Sequence, residues 1–319
     1  DEKLRSFSLT ALFLFSILLT LALPAGTVSA SNETTTGTIT GTETWAGVHT
    51  LTGDVTIAPG AKLIINPGAT IEFPNGTHLD VRGSLCAGVS SCGASSNAGP
   101  AMRITLKWSE PVNSSAIGEC YGMTSGNQEI WIDDPSCSEG ILMRSSIDLS
   151  ETGLSYVTFD SAWGIPQYIS AVGEFRYGAL VLDGASPTLT ELEFNQINTS
   201  SVLTTNLAQP TFNGGNFVVG SDASKSIVGA ARQIYSSGSS VSPSALSDIT
   251  LVGTENGCGP RDGGRATIWA QDSFIEIDNA QITSGDYGIG LYTSAGTVTN
   301  TAINVNCNGI DLNAKKAVG

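Results

Sequence analysis

From Asp54 onward the apolar residues alternate with polar ones in short runs, and each run is closed by a turn signal. The stretch divides into eights, "DVTIAPGA", "KLIINPGA", "TIEFPNGT" and "HLDVRGSL", with apolar pairs at Val55/Ile57, Leu63/Ile65, Ile71/Phe73 and Leu79/Val81. Gly60, Gly68 and Gly76 recur at the same spacing. Period-two alternation bounded by Pro, Gly and Asn predicts short strands joined by tight turns. Three such blocks make 24 residues, one circuit of a three-sided coil. A meander of hairpins is the competing arrangement, but its turns favour Asn-Gly and its spacing is less uniform.

Related periods return later. Ile268, Ile289 and Ile310 are 21 apart, as are Ala270, Leu291 and Leu312, Ile277 and Val298, and Ile282 and Ile303. Asn279 and Asn300 fall in the same register at a turn position. In the middle the spacing is 23, pairing Leu180 with Leu203, Leu189 with Phe212 and Phe194 with Phe217. A period in this range marks one supersecondary unit stacked on copies of itself. Leucine-rich repeats share the period but need a Leu-rich consensus, whereas Ile, Val, Leu and Phe alternate here on several sides of each repeat. The pattern predicts that Ile277, Ile282, Ile289, Val298, Ile303 and Ile310 share one core, with Trp45 capping the first coil.

The segments "LTGDVTIAPGAKLIINPGATIEF", "GALVLDGASPTLTELEF" and "YGIGLYTSAGTVTNTAI" resemble the right-handed parallel β-helix family, the architecture of pectate lyases and many surface proteins. The resemblance implies an all-β fold, a solenoid with coils of about 21–24 residues, over residues 45–319. Insertions are expected near 86–152 and 220–264, and a Thr-rich linker over 31–44. Ile310 and Leu312 repeat the inward register of Ile289 and Leu291 shortly before the end, which predicts further coils beyond Gly319 and possible room there for an anchor.

Residues 1–30 read as a secretory signal: Lys3 and Arg5, an apolar run from Phe7 to Leu23, then small residues at Val28 and Ala30. No second apolar run long enough to span a bilayer follows, so no membrane span is expected after its removal. Export makes the 6 Cys a disulfide set, with Cys86–Cys92 and Cys120–Cys137 close in sequence and Cys258–Cys307 remaining. Sequons at Asn32, Asn75, Asn113 and Asn198 predict a glycosylated surface where the source cell carries the machinery. An extracellular or cell-surface location follows.

Charge narrows the partners. The formal net charge is −15 with 14 Lys plus Arg against 29 Asp plus Glu, and only 2 His are present. An acidic chain is a poor nucleic-acid binder, and two His leave little for a His-based metal site or a Ser-His-Asp triad. Lyases and hydrolases of this fold use clustered Asp or Glu, the lyases with Ca²⁺ and an Arg or Lys base. Of those motifs the chain carries only Asp133-Asp134, which reads as a turn. Arg265 and Asp286 are 21 apart and predict an ion pair across coils, beside the charged residues Arg261 and Asp262. Trp269 points outward if Ile268 and Ala270 point in, Gly290 leaves its face bare, and Tyr287 and Tyr292 lie one coil on. That grouping predicts a stacking platform for sugar. The expectation is a secreted, non-catalytic structural, adhesive or carbohydrate-binding module, with a polysaccharide or surface glycan as partner and no cofactor or metal. The alternative is a polysaccharide lyase or glycoside hydrolase with a divergent site, for which Ca²⁺ is the implied cofactor.

Overall fold

A computed structural model describes residues 36–109, 122–123, 129–130, 138–169, 174–195, 197, 200–218, 234–237, 244–253, 266–271, 273–292 and 294–312. All lie in the compact unit Asn32–Gly319. The expected leader, Asn32, Asn113, Asn198, Cys120, Asp133, Asp134, Cys137, Cys258, Arg261, Asp262 and Arg265 lie outside the described residues.

The blocks of eight fold as their spacing predicts. Strands Val55–Ile57, Lys62–Ile65, Thr70–Phe73 and His78–Val81 are separated by three four-residue turns. Each turn closes with an N–H donating to a carbonyl three residues back, Ala61 to Ala58 at 2.9 Å, Ala69 to Asn66 at 3.2 Å and Thr77 to Pro74 at 3.3 Å. The third residue of each needs positive φ, which glycine supplies at Gly60 (φ 78°), Gly68 (φ 77°) and Gly76 (φ 74°).

After three strands the chain returns to the sheet it left. Val55 pairs in parallel with Leu79, Lys62 with Ser84, and Thr70 with Thr105. The result is all-β, with two long sheets of 11 and 15 strands and no α-helix among the described residues. Pairing in both sheets is parallel except for a hairpin, in which Ile165–Ile169 runs antiparallel to the start of Glu174–Asp183. A small antiparallel pair joins Gly122–Met123 to Glu129–Ile130.

Inward positions of successive strands stack into one apolar core. On the first sheet Val55, Leu79, Ile141, Leu180, Val202, Ile268 and Ile289 are buried in register; on the second Leu154, Leu189, Phe212, Leu246 and Ile277 do the same. An aromatic column runs through the middle, Phe73–Trp108–Phe159–Phe194, with ring centroids 4.4, 6.2 and 4.7 Å apart. Trp45 is buried at the early end of the core and stacks on His49 at 4.4 Å.

One bend of the second sheet is left-handed in every repeat. The register Ser155–Thr190–Asn213–Ser247–Asp278–Thr299 places the next residues in a column: Tyr156, Glu191, Gly214, Asp248, Asn279 and Asn300, all with positive φ. Such a backbone disfavours L residues other than Gly, Asn and Asp, which explains why Asn279 and Asn300 recur. Asn279 Nδ2 donates to Asp248 Oδ1 at 2.5 Å, and Asn300 Nδ2 to Asp278 Oδ1 at 3.0 Å.

Three expectations are corrected. The stretch read as a Thr-rich linker begins the sheets: Gly37–Ile39 pairs with Val55–Ile57 and Thr42–Trp45 with Lys62–Ile65, burying Ile39. Threonine is β-branched and suits a half-exposed strand as well as it suits a linker. Leu180 pairs with Val202, one residue short of the expected Leu203. Leu203 pairs with Val181 and faces outward under a second apolar layer, so both faces of this strand are apolar and periodicity cannot choose between them. Ile310 keeps its register with Ile289 but is 43% exposed, because its strand Asn308–Asp311 has a neighbour in the described sheet on one side only. Val298 and Ile303 are half-buried against the core.

Candidate functional site

Outward positions of the first sheet form two columns. The first runs Asp80, Leu142, Val181, Leu203, Tyr235, Trp269, Gly290, Asp311. Its apolar members are not free. Leu142, Val181, Leu203, Ala266, Trp269 and Tyr287 form a second buried cluster with Ile165 from the hairpin, and Cys307 packs against it.

The sugar platform is therefore not formed. Trp269 is 1% exposed and Tyr287 6% exposed. Gly290 lacks a side chain because the indole lies over it: a Cβ there would sit 2.6 Å from Trp269 Cε3. A glycine beside a tryptophan marked where the ring packs, not an open face. Tyr292 pairs with Gln271 in the adjacent strand. Asp286 is buried, and its carbonyl accepts from the N–H groups of Cys307 and Asn308 at 2.9 and 3.3 Å.

The second column, on the same outer face, is polar. Arg82 donates through Nε and Nη2 to Asp80 Oδ2 at 2.9 and 2.8 Å. Arg144 Nε donates to Asp80 Oδ1 at 3.2 Å, and its Nη1 to Asp183 Oδ2 at 3.2 Å. Thr205 Oγ1 donates to Asp183 Oδ1 at 3.2 Å, and Asn206 Nδ2 donates to the same oxygen. The ladder alternates in sign across four neighbouring strands. Asp80 is buried and holds both guanidiniums, while the Arg82 and Arg144 side chains remain 50% and 36% exposed. Both carboxylates are occupied by guanidinium donors, so the arrangement suits recognition through exposed N–H edges better than proton transfer. Exposed pairs contribute little stability on their own.

A second charged cluster is structural. Arg103 Nη1 and Nη2 donate to the Glu191 carbonyl at 3.0 and 2.9 Å, Nη2 lies 2.9 Å from Glu193 Oε1, and Nε donates to Thr158 Oγ1 at 3.3 Å. The guanidinium also lies 5.4 Å from the Tyr156 ring centroid. It thus ties together two neighbouring left-handed bends, at Tyr156 and Glu191. Arg103→Ala is expected to lower stability by about 2–4 kcal/mol in urea denaturation, because it strands a partly buried carbonyl and carboxylate. Arg103→Lys should recover less than half, since a point charge cannot fork between them. A loss below about 0.5 kcal/mol would make the cluster an ordinary surface pair.

Cys86 and Cys92 form a disulfide with Cα atoms 5.8 Å apart, under Ile64 and Val89. Cys307 is also disulfide-bonded. Asn75 is exposed at the tip of the Pro74–Thr77 turn. At the left-handed column, hydrogen bonds from Thr299 and Asn300 hold the Asp278 carboxyl below the usual carboxylate range. Among the described residues no group of three or more His, Cys, Asp or Glu could hold a metal ion, and no helix is long and apolar enough to cross a membrane.

Sequence reasoning missed the ladder. Arg82 and Arg144 stand in neighbouring strands but are 62 apart in the chain, and Arg144 and Asp183 are 39 apart. The excursions between them break the count by which equivalent positions are found. No family model, no curated protein and no solved structure matches the chain.

Proposed function

We propose that the two parallel sheets wind as a right-handed β-helix of the pectate-lyase-like type, and that the protein is a secreted or cell-surface module that binds carbohydrate without turning it over. Parallel strands joined by crossovers wind right-handed in nearly all proteins. The three-strand return from Val55 to Leu79 and the 21-residue register at the other end support the solenoid. The Cys86–Cys92 bond fits an oxidising compartment.

The observation that carries the binding reading is the ladder Asp80–Arg82–Arg144–Asp183. A buried carboxylate orients two guanidiniums whose outer edges remain in solvent, a preorganised set of planar donors on a rigid sheet. Vicinal hydroxyls of a sugar chain are acceptors of matching geometry.

The test is a glycan array with the secreted protein, repeated with Arg144→Ala. Binding to at least one glycan is expected, with a loss of about tenfold or more in the variant and an unchanged melting midpoint. Binding that Arg144→Ala leaves untouched would remove the ladder from the function. A Ca²⁺-dependent rise in absorbance on pectate or alginate would replace the binding module with a lyase.

A further inference from the structure

Glu139 immediately precedes the strand Gly140–Arg144 and is 1% exposed. Its carboxyl reaches two separate segments. Gly76 N–H, in the Pro74–Thr77 turn, donates to Oε1 at 2.9 Å, and Trp163 N–H donates to Oε2 at 2.9 Å. Its main chain exchanges hydrogen bonds with Gly164, at 3.2 and 2.9 Å. Three pieces of chain distant in sequence therefore meet on one side chain. The turn is held from its other side too, where the Trp108 indole N–H donates to the Thr77 carbonyl at 2.8 Å.

We infer that Glu139 is a pH-sensitive latch: its carboxyl fastens the Pro74–Thr77 turn and the Ala162–Gly164 loop to the start of the Gly140–Arg144 strand, and ionisation of that carboxyl loosens the junction. Burial pushes the Glu139 carboxyl up to about 7, outweighing the two amides that favour its charged form. The sign follows. A carboxyl raised in the closed state stabilises closure fully below its ordinary value of 4.5, and that contribution is lost as pH rises toward 7.

Charged groups on the surrounding elements are engaged elsewhere. His78, opposite Gly140 in register, has Nδ1 3.0 Å from Asp54 Oδ1. Asp160, ahead of the loop, accepts from Ser161 at 3.2 Å. Arg144, on the same strand as the latch, is bound to Asp80 and Asp183. The hairpin strand Ile165–Ile169 carries Tyr168, and the adjoining strand carries Glu174, Arg176 and Tyr177. The upward shift in Glu139 arises from burial.

Amide hydrogen exchange on the protein, corrected for intrinsic chemistry, tests this at pH 5 and pH 8. Protection of the Gly76 and Trp163 amides is expected to fall roughly 50- to 100-fold over that interval, the consequence of a carboxyl raised by between two and three pK steps. The Leu189 amide, in the core of the second sheet, should hold its protection. Glu139→Gln should make Gly76 and Trp163 insensitive to pH. Unchanged or rising protection of those two amides overturns the latch. So does a parallel loss at Leu189, which would mean global opening, and so does a pH dependence that survives Glu139→Gln. The wild-type measurement decides alone if the variant fails to fold.

Discussion

Ile289→Asp is expected to leave the protein largely unfolded at room temperature. Ile289 is fully buried in the strand Tyr287–Tyr292, stacked between Ile268 and Ile310. The substitution forfeits about 2–3 kcal/mol of apolar burial and inserts a carboxylate with no partner, which costs several kcal/mol more even if it takes up a proton. The sum approaches the whole stability of an ordinary domain, about 5–15 kcal/mol. Ile310→Asp is the informative control. It occupies the same register one strand on, but the side chain is 43% exposed, so its cost should stay within about 1 kcal/mol. Circular dichroism during urea unfolding separates the two. Equal effects would mean that register alone, rather than burial, governs the position, and an unchanged midpoint for Ile289→Asp would remove that residue from the core.

That contrast shows where the sequence was legible. Local periodicity found the turns at Gly60, Gly68 and Gly76, the register of Leu189 with Phe212, and the 21-residue spacing of Ile268 and Ile289, because each depends on neighbours a fixed distance along the chain. It misplaced Leu203 and Trp269 because their outward face is buried under a second apolar layer, and a strand apolar on both faces has no alternation to read. It read Thr38 and Thr42 as linker because composition cannot distinguish a polar tether from a half-exposed first strand. The ladder of Asp80, Arg144 and Asp183 and the latch at Glu139 were invisible for a different reason. Their partners are brought together by excursions of irregular length, and the carboxyl of Glu139 is recognised by backbone amides, which carry no sequence signature.

Trp108→Ala is expected to cost about 4–6 kcal/mol. The indole is fully buried, stacked 4.4 Å from Phe73 and 6.2 Å from Phe159, and it occupies the second position of the aromatic column. Truncation of a buried tryptophan opens a large cavity and typically costs about 3–5 kcal/mol. The Thr77 carbonyl also loses its indole donor, a further ~1 kcal/mol. The melting midpoint should fall by roughly 10–20 °C for a chain of this size. Trp108→Phe separates the two contributions, since it keeps the stack and loses the hydrogen bond; its cost should be about 1–2 kcal/mol. Because Trp108 and Glu139 grip the same Pro74–Thr77 turn from different sides, Trp108→Phe and Glu139→Gln should not be additive. Once either hold is released the turn can relax, and the second substitution then costs less than it does alone. Additive effects within about 0.3 kcal/mol would mean that the two residues act on independent structure, and a cost below about 1.5 kcal/mol for Trp108→Ala would mean that the aromatic column does not bear on the stability of the core.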